Sequence, residues 1–231
     1  MPTAHVAILR GRSTVPRRRA LPTTAVTLTA LATLTLTACG GGGDGKSDDI
    51  KGVGRATPTA SASSVADAQR LDMSLPSDLQ VQFDATRPSD TRHAAALDSA
   101  KNYILALNHG ITAQDPDDPA YQFYSLGNAT KYARGQIQGW VEDDWTATGT
   151  DSYYEVRTDD VGSSLGVLVR MCRDQSKFYG KSVRTQKIRY TKESLDSYQE
   201  FRLLMKPPQG SEKVWKVLQI EVQGRVKECR R

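Results

Sequence analysis

The chain has 231 residues, with 31 Lys and Arg against 26 Asp and Glu, a formal charge of +5 and a pI near 9.1. Such a balance suggests nucleic acid or an anionic membrane, but residues 1–39 hold Arg10, Arg12, Arg17, Arg18 and Arg19 and no acid, so the other 26 basic residues meet 26 acids. At 38% hydrophobic the chain can bury one core of ordinary size, and its three cysteines exclude a disulfide-dense miniprotein.

The arginines precede residues 23–36, an uncharged run with Val26, Leu28, Leu31, Leu34 and Leu36 among alanines and threonines. A basic segment followed by a short apolar one is the pattern of a secretory signal. Spanning a bilayer takes roughly 20 apolar residues, so the run is short for a permanent transmembrane helix. It ends in Leu36-Thr37-Ala38-Cys39, which resembles a bacterial lipobox at every position. The resemblance implies cleavage between Ala38 and Cys39, a diacylglyceryl group on the Cys39 thiol and added acyl chains, palmitate among them. Two acyl chains meet the requirement for stable anchoring, at about 0.8 kcal/mol per buried methylene. Either general or twin-arginine export fits: Arg17-Arg18-Arg19 is present, but Ala20-Leu21-Pro22 matches the twin-arginine pattern poorly.

Residues 40–70 carry seven glycines and only Ile50, Val53 and Val65 as large apolar side chains. This composition predicts a flexible tether. Residues 40–47, GGGGDGKS, satisfy the phosphate-loop expression G-x-x-x-x-G-K-S. The physics of that motif requires a preceding strand and a following helix, and neither is predicted, so a tether is the reading.

From Leu75 the pattern is structured. Leu79, Val81 and Phe83 alternate as in a half-exposed strand, and Ser89 or Asp90 is placed to cap a helix carrying Leu97, Ala100, Ile104 and Leu107, with Gly110 to end it. Asp115-Pro116-Asp117-Asp118-Pro119 reads as a turn into a short helix with Tyr121 and Tyr124, since Pro116 and the absence of a twelfth-position glutamate disfavour a calcium loop. Asn128 then caps a third helix with Ala129, Ala133, Ile137 and Trp140. After Trp145 the period turns to that of strands, expected over 153–157, 165–171 (Leu165, Val167, Val169 and Met171), 183–190, 195–205 and 214–226, the last with Leu218, Ile220 and Val222 on one face. Helices followed by a meander predict an α+β domain with the helices on one face of an antiparallel sheet. The organisation is then a signal over 1–38, lipidated Cys39 with a linker to 74, and one globular domain over 75–231. Outside the cytoplasm, Cys172 and Cys229 are expected to form a disulfide, with two buried free thiols as the alternative.

The element order, with Val169-x-x-Cys172-x-Asp174, Tyr198-x-x-Phe201, Val214-Trp215-Lys216-Val217 and the late Cys229, resembles a group of actinobacterial lipoproteins whose mature part has a nuclear-transport-factor-like, SnoaL-like cone. That resemblance implies a curved sheet closed by helices and makes Tyr103, Tyr121, Tyr124, Trp140 and Phe201 either pocket walls or plain core. No catalytic constellation is legible: His93 and His109 lie sixteen residues apart, about 160° around one helix, and no metal-ligand spacing or nucleophile motif occurs. The expectation is an extracytoplasmic, lipid-anchored protein whose domain binds a small ligand or an envelope protein without chemistry. A SnoaL-like isomerase, cyclase or hydrolase with an unrecognised carboxylate, or a scaffold acting through its sheet face as a homodimer, are the alternatives. No cofactor, metal or nucleic acid is expected.

Overall fold

The computed structural model describes residues 71–162 and 166–231. The signal, Cys39, the glycine-rich stretch at 40–47, the tether as far as residue 70 and Leu165 lie outside the described residues.

The elements run β1 (Leu79–Phe83), α1 (Thr91–Ala113), α2 (Pro119–Tyr124), α3 (Gly127–Glu142), β2 (Trp145–Val161), β3 (Gly166–Ser182), β4 (Ile188–Arg189), β5 (Tyr198–Lys206) and β6 (Lys216–Gly224). The fold is α+β, with the helices packed against one face of a six-stranded sheet that does not close. Its order is β1-β2-β3-β5-β6, with β4 on β3. The sheet is mixed rather than wholly antiparallel as expected. β1 runs parallel to β2, Leu79 facing Gly149 and Phe83 facing Tyr153, and parallel neighbours need a long crossover, which the three helices between them supply.

Asp90 caps α1, its carboxylate accepting from the backbone N–H of Arg92 and His93. The helix then runs past Gly110 to Gln114, which takes the left-handed conformation at φ 58°. Gly110 is kept small instead by α3: a Cβ there would come within 2.5 Å of Ile137 Cδ1. The N-terminus of α3 also differs from expectation. Its N-cap, Leu126, has no side-chain bond, and the Oδ1 of Asn128 accepts from Ile220 N–H on the edge of β6. The backbone N–H of Leu126 donates to Val217 O, so the sheet edge holds this helix start.

The later strands are shorter than their periodicity suggests. Over 183–190 only β4 remains, because Gln186 turns the chain at φ 59° and donates its N–H back to Ser182 O. Ser194 caps a 3-10 turn at Leu195–Ser197, so β5 begins at Tyr198. In β6, Leu204 faces Gln219 but Met205 faces Val217, leaving Leu218 as a bulge. The extra residue shifts the alternation: Val217 and Ile220 are buried, while Leu218, expected to share the face of Ile220, is 39% exposed.

The core joins Leu97, Ala100, Ile104 and Ile137 from the helices to Val167, Val169, Met171, Leu203, Met205 and Val217 from the sheet. Fully burying each larger apolar side chain contributes about 1.5–3 kcal/mol. Leu71 and Met73 also pack on this core, so packing reaches back beyond Leu75.

Gly149 joins three strands. Its φ is 94°, its N–H donates to Asp78 O, and a Cβ would lie 2.1 Å from Lys177 O. Gly149→Ala is expected to destabilise the domain by about 3 kcal/mol or more, through both strain and overlap. Gly139→Ala in α3, where nothing lies within 4 Å of the added Cβ, should gain up to about 1 kcal/mol of helix propensity. Urea unfolding of the two variants checks the contrast.

Candidate functional site

β2 and β3 face one another with Tyr153 opposite Arg173, and on the helix side this register builds a buried polar cluster. Asp151 is fully buried, and the Arg173 side chain is 14% exposed. Arg173 Nε donates to Asp151 Oδ1 at 2.6 Å and Nη2 to Oδ2 at 3.0 Å. The Tyr153 hydroxyl donates to Oδ2 at 2.9 Å, and Arg173 Nη1 donates to Gln199 Oε1 at 3.1 Å. The guanidinium lies 5.0 Å from the ring centre of Phe178, 5.6 Å from that of Phe201 and 5.8 Å from that of Tyr153.

Burial by itself would lower the pKa of Arg173, but the charge of Asp151, its hydrogen bonds and the neighbouring Tyr153 and Tyr132 together outweigh it and the net shift is upward. Burial pushes the Tyr153 hydroxyl well up, and that of Tyr132 on α3 up as well, so both stay protonated. A carboxylate beside a tyrosine is the pair that a cone-shaped enzyme would use as base and oxyanion partner. Here both oxygens of Asp151 are taken by three donors, so neither is left open to a substrate proton.

The five aromatic residues expected as walls or core lie in the core or at its border. Tyr103 donates to Ala129 O at 2.7 Å, Tyr121 donates to Pro116 O at 2.6 Å, and the Tyr124 hydroxyl accepts from Asn102 at 3.4 Å. Trp140 meets Phe178 edge-on at 5.7 Å, and Phe201 meets Tyr153 edge-on at 5.6 Å. His93 and His109 have separate partners: His93 bonds Thr158 and Asp160 on β2, and His109 bonds Asp118 at 2.6 Å. Asp118 also caps α2 through Ala120 N–H. The acidic run thus has turn and cap duty, and among the described residues no three His, Cys, Asp or Glu form a metal-holding group.

The opposite face of the sheet carries the disulfide. Cys172 on β3 is joined to Cys229, 57 positions later, in a 3-10 turn after β6. The bond straps the C-terminal tail across the sheet. The Tyr154 hydroxyl donates to Cys229 O, Arg231 lies 3.5 Å over the Tyr154 ring, and its guanidinium reaches Asp84 at 3.2 Å. Tyr198 completes this second cluster. Its hydrogen bond to Glu193, with a smaller effect of burial, pushes its pKa up to about 12.

Beside the strap lies a hollow of about 410 Å³ lined by Arg157, Arg170, Arg202, Glu155, Glu200 and Glu228. A smaller one of about 240 Å³ is bordered by Gln82, Ser152, Asp174 and Lys177. Neither is lined by Asp151, Arg173 or any of the five aromatic residues. Arg202 is paired with Glu200 at 2.6 Å, so the larger hollow is a mixed-charge surface without a dominant sign.

Comparison with family models, with curated proteins and with solved structures finds no match. The buried Asp151–Arg173 pair has no motif in the sequence. It exists only through the β2–β3 register, which the bulges between Thr150 and Ser152 and between Tyr154 and Arg157 obscure.

Removing the disulfide by Cys172→Ser with Cys229→Ser should reduce stability by about 4 kcal/mol on the chain-entropy model. It should also release the tail, with faster amide exchange over 225–231. Unchanged exchange there would mean that Arg231 and Tyr154 hold the tail unaided.

Proposed function

We propose that the protein is an extracytoplasmic lipoprotein, held on the membrane by acyl chains on Cys39, whose domain binds an envelope protein or other envelope component through its surface. The observation that carries this reading is Leu36-Thr37-Ala38-Cys39 at the end of an arginine-led apolar run. Support comes from the Cys172–Cys229 disulfide, since such bonds persist in oxidising compartments. Read as a glycine-rich coil, the 31 residues at 40–70 would span roughly 30 Å root-mean-square between Cys39 and the domain.

A surface role is favoured over interior chemistry because the core side chains of helices and sheet are buried against one another and both oxygens of Asp151 are taken by donors. The SnoaL-like cone is part of the same reading and rests on the element order and the quoted motifs. An isomerase or hydrolase is the second reading, and Asp151 beside Tyr153 is the pair it would use.

Cys39→Ser should move the protein from the membrane fraction to the soluble extracytoplasmic fraction, and mass spectrometry of the parent should find Cys39 as the acylated N-terminus. A Cys39→Ser chain that still partitions wholly with the membrane would overturn the anchor.

A further inference from the structure

The balance of charge after residue 39 conceals a local excess. From Lys177 to Lys192 the chain carries Lys177, Lys181, Arg184, Lys187, Arg189 and Lys192 and no acid. This is the end of β3, the turn at 183–187 and β4. Lys181 pairs with Asp78 at 2.6 Å, and Arg184, its side chain 82% exposed, reaches Asp144 only at 3.9 Å. Among the described residues, Lys187 and Lys192 are exposed and have no ion pair. The same hairpin displays Val183 at 37%, Ile188 at 37% and Tyr190 at 72% exposure. The Tyr190 ring meets only the edge region of Tyr179, centre to centre at 5.0 Å.

We propose that this hairpin is a contact surface for an anionic lipid bilayer. Basic side chains supply attraction to acidic headgroups. The apolar residues between them suit the headgroup boundary, where a tyrosine can bury its ring and keep its hydroxyl wet. A soluble polyanion would use the charges but gains nothing from exposing Val183, Ile188 and Tyr190, and this favours the bilayer.

The position of the hairpin adds to the case. Ser182 pairs with Trp145 at the start of β2, and the Gln114 side chain at the C-terminal end of α1 donates to Trp145 O at 2.9 Å. Asp78, just before β1, lies against Lys181 at this same end. The segment that leads in from the tether thus joins the domain beside the basic hairpin, while Arg231 and Asp84 lie at the far end of β1. A chain anchored through residue 39 would enter the domain at this end. That last step rests on the proposed anchor, whereas the bilayer contact itself does not.

The test uses the full chain with Cys39→Ser, which carries no acyl group, and vesicles of phosphatidylcholine with or without phosphatidylglycerol. The five N-terminal arginines are common to all variants, so differences between variants report the hairpin. Arg184→Glu/Lys187→Glu/Lys192→Glu should weaken binding to the phosphatidylglycerol vesicles about a hundredfold or more, at about fivefold for each basic residue lost. Tyr190→Ser should weaken it several-fold while leaving binding to heparin unchanged. Equal vesicle binding by the parent and the triple variant would overturn the proposal. So would a Tyr190→Ser chain with unaltered vesicle binding, which would mark the patch as a polyanion site. Circular dichroism of each variant establishes that these exposed positions leave the fold intact.

Discussion

Two opposite charges lie out of water between β2 and β3, and much of the domain is arranged to keep them satisfied. An unpaired buried guanidinium would be prohibitive, so Asp151 gives both oxygens to Arg173 and Tyr153 while Gln199 takes a remaining donor. Around the pair, Phe178, Phe201 and Tyr153 lay their rings against the guanidinium, and Trp140 from α3 closes on Phe178. The strand bulge at Asp151 and the packing of α3 on the sheet are parts of one arrangement. Its result is a polar cluster buried among aromatic side chains between α3 and the sheet.

The outer faces of the sheet differ from one another in chemistry. The helix-free face carries the disulfide strap and mixed-charge hollows, and the β3–β4 hairpin carries a one-signed charge with exposed apolar residues. The formal neutrality of the chain beyond residue 39 is an average over these regions. Of the acids, Asp78 and Asp144 lie at the hairpin itself, and Asp159 and Asp160 lie near the other end of β2. Such an asymmetry gives the domain one side that is basic and partly apolar.

The sequence made the helix–sheet division legible because α1 and the β2–β3 region have clean and different periods, from Leu97-Ala100-Ile104 to Val167-Val169-Met171. The Cys172–Cys229 pairing was legible from the number of cysteines and the expected oxidising compartment. What it hid depends on long-range register. Asn128 has the composition of a cap but spends its amide on β6, and Gly110 has that of a helix stop but is fixed by the neighbouring Ile137. The bulge at Leu218 inverts a face that a strict period of two would bury. Asp151 and Arg173, 22 positions apart in different strands, carry no local signal of their meeting.

The sealed interior is tested most directly by urea unfolding of Asp151→Asn against the charge-free double variant Asp151→Leu/Arg173→Met. If the pair is dry and closed, the single change should cost about 3–5 kcal/mol by stranding the Arg173 charge, and the double variant should regain most of that loss. An Asp151→Asn domain as stable as the parent would mean that water reaches Arg173, contradicting a closed, dry pair.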